Sequence, residues 1–208
     1  GYINLDYEGL RSDIVHMLAG DRSEVNTKGF LNDLSEIRNR DDVLTALIHL
    51  GYLTYDRATQ ECYIPNLEVS GEMESAVNAN KWEGVTRALK LSRKLLEATL
   101  RGDSDYVAAR LEEMHSESTS ILEYNDENSL SCTISIAYYY ARNDFQMIRE
   151  MPTGKGYADI VLLPRKHVSK PALVIELKKD HNTHAAIAQI KDRHYPQQVA
   201  EYTGDILL

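Results

Sequence analysis

The sequence has no basic surplus, no long apolar run and few cysteines. Its 23 lysines and arginines face 32 aspartates and glutamates, a net charge of −9, which argues against a general nucleic-acid binder. No apolar run approaches the length of a membrane span and no signal peptide opens the chain, so we expect a cytoplasmic protein with no membrane partner. Cys62 and Cys132 lack metal-ligand spacing, which favours reduced core thiols.

A phosphate-binding loop is also lacking. The glycines around Lys155 do not have the spacing of such a loop, so we do not expect this chain to bind ATP by itself. The acidic surplus is uneven, because residues 1–120 carry 13 basic against 21 acidic residues and residues 121–208 carry 10 against 11. The last part of the chain is therefore close to neutral.

Residues 1–70 show helical patterns followed by a hairpin, an order that predicts a winged-helix-like region. The helices are predicted at Tyr7–Ala19, Phe30–Ile37 and Val43–Leu50, and Asp41 and Asp42 are expected to form the N-cap and first turn of the last one. That helix would be the one to read DNA, yet it contains no lysine or arginine. A structural or protein-docking role is favoured over DNA binding.

Residues 71–120 are predicted to form a helical linker, and residues 121–208 an α/β domain. The apolar spacing predicts helices over Leu67–Ala79, Trp82–Leu100 and Asp105–His115. In the last domain, a helix through Leu130–Ala141 and a strand at Phe145–Arg149 are expected before a further pair of strands. The expected fold class is α/β, with an α-rich region first.

The pair of strands, Tyr157–Leu163 and Leu173–Leu177, carries the most informative charges. Asp159 lies on the first strand, and Glu176 and Lys178 share one face at the end of the second. Depending on the register, Asp159 falls near Leu177 or opposite Glu176 or Lys178. Two carboxylates and an ammonium suit a site for Mg²⁺ or Mn²⁺. A salt bridge on a half-exposed strand is the alternative.

Several segments in order resemble the PD-(D/E)XK nuclease superfamily, beginning with Asp159 and the sequence Glu176-Leu177-Lys178. The resemblance is closest to the nuclease domain that follows an AAA-ATPase-like domain in bacterial proteins. The segments are YNDENSLSCTISIAYYYA (124–141), REMPTGKGYADIVLLP (149–164), ALVIELK (172–178) and AAIAQIKDRHY (185–195). It implies a restriction-endonuclease-like mixed sheet flanked by helices.

The resemblance also implies roles for individual residues. Asp159 and Glu176 would bind the metal, Lys178 would position or activate water, and Gln189 would orient the substrate or Lys178. The carbonyl of Leu177 would be a further metal ligand. Glu127 occupies the position of a helix carboxylate that completes the metal shell; the alternative is a carboxylate that stabilises the helix start.

These expectations give a metal-dependent deoxyribonuclease, endo- or exonucleolytic, that uses Mg²⁺ or Mn²⁺. DNA is the expected partner, with RNA as an alternative substrate, together with an AAA-ATPase-like domain outside this chain. The chain begins with Gly1 and stops within the apolar run Ile206–Leu208, so we expect a truncated fragment whose open sheet edge favours a homodimer. The alternative function is a non-catalytic assembly or docking module, which the acidic composition favours.

Overall fold

The computed structural model describes residues 3, 7–30, 36–80, 82–118, 127–153, 156–177, 199 and 205–208. The chain divides into two compact units, one of Gly1–Lys90 with Ser116–Tyr124 and one of Leu91–His115 with Asn125–Leu208. The three-part division expected from the sequence stays a prediction.

The first unit contains helices and a small antiparallel sheet. In chain order its elements are α1 Leu10–Ala19, β1 Ser23–Glu24, a 3-10 turn Thr27–Gly29, α2 Arg40–His49, β2 Thr54–Asp56, β3 Glu61–Tyr63 and α3 Leu67–Ala79. The predicted hairpin is present as β2 and β3, and β3 also pairs with β1. The helix expected at Phe30–Ile37 falls largely outside the described residues, and the winged-helix assignment stays a prediction.

The cap of α2 differs from the expected one. Asn39, rather than Asp41 or Asp42, has the extended backbone of a cap residue, with φ −151° and ψ 178°. Its side-chain oxygen accepts a hydrogen bond from the backbone N–H of Asp42 at 2.9 Å. The helix starts at Arg40, before the predicted Val43, so it includes an arginine that the predicted helix lacked. Both aspartates occupy its first turn, as expected, where the helix dipole favours negative charge.

Two long helices follow, α4 Glu83–Leu100 and α5 Ser104–Ser118. The apolar stripe predicted for α4 is buried: its members are Trp82, Val85, Leu89, Leu95 and Leu96. Asp103 caps α5 by accepting a hydrogen bond from the N–H of Tyr106 at 3.2 Å. No helix among the described residues is long and apolar enough to cross a membrane.

The second unit is built on a mixed four-stranded sheet. Its elements are α6 Glu127–Ala137, a 3-10 helix Tyr139–Asn143, β4 Phe145–Thr153, β5 Gly156–Pro164, β6 Ala172–Ile175 and β7 Ile206–Leu207. The strand order is β4-β5-β6-β7, with β7 parallel to β6 and the other pairs antiparallel. The α/β class is confirmed. The helix expected to reach Ala141 ends at Ala137 and tightens into the 3-10 turn.

The core of the second unit lies against β5 and β6, and α6 packs on β5. One apolar cluster comprises Ala158, Val161, Leu163, Ala172, Val174 and Val199. Branched residues in these positions explain why the two segments form neighbouring strands, because they pack well on a pleated surface. The strands thus have a rigid apolar support, which also fixes the polar residues at their ends.

Candidate active site

The register of β5 and β6 brings Asp159 and Glu176 together. Ile160 pairs with Ile175, Val161 with Val174, and Leu162 with Leu173. The paired residues end there, and Glu176 follows the last residue of β6. Of the registers considered from the sequence, the paired residues follow the one that would set Asp159 opposite Glu176 if it continued by one step.

Glu176 and Leu177 lie beyond the end of β6, which corrects the predicted strand Leu173–Leu177. The strand ends at Ile175. The reason is a local exchange of hydrogen bonds: the backbone N–H of Leu177 donates to Oδ2 of Asp159 at 2.6 Å. The chain leaves the ladder because a side chain of the neighbouring strand accepts this N–H.

The same hydrogen bond orients the Asp159 carboxylate. The distance between the Leu177 nitrogen and Oδ2 of Asp159 is 2.6 Å, at the short end for a hydrogen bond from a backbone N–H to an oxygen. A carboxylate has two oxygens with about four acceptor sites. One bond therefore holds Asp159 in place while leaving capacity for further ligands.

The two carboxylates sit at the margin of the apolar core. Asp159 and Glu176 are both half-buried, and Oε2 of Glu176 is buried. Val161 and Val174, their neighbours on the same face, are buried in the core cluster. Two partly desolvated carboxylates close together repel unless a cation or a proton lies between them. The site is therefore suited to binding a cation.

The remaining predicted site residues are only partly placed. Leu177 is buried, with 9% of its surface exposed, and it follows Glu176 directly. Glu127 begins α6, a helix that contacts β5; the position of its side chain is not described. Lys178 and Gln189 lie outside the described residues. The structure thus brings together Asp159, Glu176 and the backbone of Leu177.

The amide of Leu177 is the contribution that sequence reasoning missed. Leu177 reads as an apolar strand residue between two charged ones, and only its carbonyl was expected to take part. Since every residue but proline carries a backbone N–H, no side-chain pattern marks this one as a donor to Asp159. This donor role is visible only in the structure, where β6 ends at Ile175 and the Leu177 N–H bonds to Asp159.

Comparisons with known proteins give a family match for the second part of the chain. Searches among curated proteins and among solved structures gave no significant match. Residues 126–207 match the model of the PD-(D/E)XK nuclease superfamily, and Asp159, Glu176 and Leu177 all lie within them. This part of the chain, less than half of its length, is therefore similar to PD-(D/E)XK nucleases, and the match indicates a nuclease-type function.

Proposed function

We propose that the protein is a divalent-metal-dependent nuclease that hydrolyses phosphodiester bonds of DNA. The observation that supports this proposal is the hydrogen bond from the Leu177 N–H to Asp159, which links Asp159 on β5 to the chain immediately after Glu176, within the matched residues. Two half-buried acids are held near one another by this bond, since Glu176 directly precedes Leu177.

The donor set fits Mg²⁺ or Mn²⁺. Both ions prefer carboxylate and carbonyl oxygens, and the residues that would hold one are Asp159, Glu176, the Leu177 carbonyl and Glu127. Such an ion supplies electrostatic stabilisation of the charge that develops on a phosphate during hydrolysis.

The chain's own residues have separate tasks in this proposal. The Leu177 amide holds the Asp159 carboxylate in a fixed orientation, which limits reorganisation during the reaction. Lys178 supplies an ammonium that positions the attacking water or stabilises charge on the phosphate. Gln189 orients the substrate or Lys178. Asp159 and Glu176 are thus ligands, and Lys178 is the catalytic group.

The test separates ligands from the catalytic group. Asp159→Asn and Glu176→Gln should each abolish Mn²⁺ binding in calorimetric titration and cleavage of a panel of DNA and RNA substrates. Lys178→Ala should retain metal binding and lose cleavage rate, about a hundredfold. Asp105→Asn, an exposed acid in the first turn of α5, is the matched control and should behave like the parent.

A parent protein that binds no divalent metal and cleaves no substrate would overturn the nuclease function, as would an Asp159→Asn variant with parental cleavage. The non-catalytic docking module would then be the better account, supported by the net charge of −9. Association with an AAA-ATPase-like domain, RNA as a substrate and a homodimer are further parts of the proposal, and each rests on the sequence alone.

A further inference from the structure

One residue of β4, Glu150, has a left-handed backbone conformation. Its φ is +49°, in the left-handed region that residues other than glycine rarely adopt. The side chain is exposed, so burial in the core does not compensate for this conformation. The residue also lies away from the hairpin turn, because Thr153 and Gly156 pair at that end of the two strands.

This strained residue lies directly across from Asp159. Arg149 pairs with Ile160 and Met151 pairs with Ala158, so the register is the same on both sides of Glu150. The intervening pair, Glu150 with Asp159, is missing from the ladder, the one internal gap among the described residues of β4 and β5. No residue is inserted, and the kink therefore does not serve to correct the register.

Asp159 consequently has no ladder pair with a described residue of either neighbouring strand. On one side β4 leaves the ladder at Glu150, and on the other side β6 ends at Ile175. Its carboxylate is held instead by the Leu177 N–H. Strained backbone persists where the surrounding structure enforces it, and such residues cluster at functional sites.

We propose that Glu150 is a positioning residue for the proposed nuclease reaction: its left-handed backbone opens β4 beside Asp159 and so sets the Asp159 carboxylate against Leu177 and Glu176. The proposal rests on the proposed function for its catalytic consequence. The role belongs to the backbone conformation and not to the charge of Glu150, which distinguishes it from an additional metal ligand.

Substitutions that differ in backbone preference test this role. Glu150→Gly accepts a positive φ, whereas Glu150→Val, or the milder Glu150→Ala if the valine variant does not fold, resists it. Glu150→Gln removes only the charge. Gln146 is the matched control position, because it is also exposed on β4 but pairs regularly with Leu163.

The thermal stabilities of these variants report the backbone strain at position 150 without any measurement of activity. At position 150, glycine should raise the midpoint of thermal unfolding and valine should lower it. At position 146 the order should be reversed, because a regular strand favours valine over glycine. The same order at both positions would overturn the proposal.

Metal affinity and cleavage kinetics of the same variants test whether Glu150 positions the Asp159 carboxylate. Glu150→Val should weaken Mn²⁺ binding in calorimetry and lower kcat about tenfold or more, with little change in KM for DNA. Glu150→Gly, Glu150→Gln and both Gln146 variants should keep parental values. An active parent whose Glu150→Val variant keeps its metal affinity and kcat would overturn the proposal alone, and so would loss of cleavage in Glu150→Gln. An inactive parent would overturn the proposed function, and the positioning role with it.

Discussion

A single side chain, Asp159, combines two roles that can be separated by substitution. Its Oδ2 accepts the Leu177 N–H at 2.6 Å, and this bond brings its carboxylate next to the residue that follows Glu176. The first role stabilises the fold. The second destabilises it in the absence of a cation, because the two charges repel.

Asp159→Asn and Asp159→Ala should therefore differ in stability. Asparagine retains a side-chain oxygen for Leu177 and removes the repulsion, so without metal its free energy of unfolding should equal or exceed that of the parent. Alanine also removes the repulsion but leaves a part-buried N–H without its acceptor, so its free energy of unfolding should be about 1–2 kcal/mol below that of the asparagine variant. Urea unfolding in the presence of a chelator measures both. Equal stabilities of the two variants would show that the hydrogen bond contributes nothing.

Because of the Cys62 thiol, the free energy of unfolding should depend on pH in the alkaline range. Burial raises its pKa to about 12, whereas an unfolded cysteine ionises near pH 8.5. Between these values the unfolded chain releases the thiol proton and the folded chain keeps it. The unfolded state then binds fewer protons, so the free energy of unfolding falls as the pH rises.

Cys62→Ala should lack this component. At neutral pH the variant should be less stable than the parent, by about 1 kcal/mol for the lost sulfur packing. The difference in free energy of unfolding between the parent and Cys62→Ala should become smaller at about pH 10, because only the parent has a thiol whose ionisation in the unfolded chain lowers stability there. Other alkaline titrations, such as that of Tyr138, whose burial raises its pKa, occur in both proteins and cancel. Parallel stability curves across this pH range would contradict the prediction.

At the scale of elements, the sequence predicted what local composition controls. Branched residues marked β5 and β6, and the apolar spacing placed α3 at Leu67–Ala79, where it lies. The end of β6, the αL residue at Glu150 and the cap at Asn39 were not predicted. Each of these depends on hydrogen bonds or pairing between segments distant in the chain or on a competition between neighbouring caps, neither of which a periodicity encodes.

The same scale shows how α1, β1 and α2 are held together through Arg40. Its guanidinium donates to Asp13 of α1 through Nε and, at 2.9 Å, through Nη2, and to the Glu24 carbonyl at 2.9 Å. It also donates to Asp41 at 2.6 Å. The hydrogen bonds to Asp13 raise the pKa of Arg40. One side chain thus links three elements of the first unit.

Arg40→Leu should destabilise the protein by about 2–3 kcal/mol, because it leaves the partly buried Asp13 without its partner. Arg22→Leu is the matched control. Arg22 pairs with Asp56 at 2.9 Å, but its side chain is 44% exposed against 28% for Arg40, and such a pair contributes at most about 1 kcal/mol. Denaturant unfolding measures both variants. Similar losses at the two positions would mean that the network around Arg40 is no stronger than a surface ion pair.

At the scale of the whole molecule, most of the acidic surplus lies in a different part of the sequence from the candidate site. Residues 1–120 have eight more acidic than basic residues, and residues 121–208 have one more. Three arginines of the first unit are paired with acids: Arg22 with Asp56, Arg38 with Glu36 and Arg40 with Asp13. Asp41 and Asp42 occupy the start of α2. Repulsion of a phosphate backbone is therefore strongest where a winged helix would read DNA.

This distribution predicts that the first unit contributes nothing to DNA affinity. Lys28→Glu and Arg57→Glu reverse exposed charges, the second in the turn between β2 and β3. In the full chain with a chelator present, so that no cleavage intervenes, both should leave the affinity for a labelled duplex and its salt dependence unchanged. Lys28→Gln and Arg57→Gln separate loss of a contact from added long-range repulsion. If either residue contacts phosphate, both its variants should weaken binding and lower the salt slope by about 1, and recognition would then have to be assigned to the first unit.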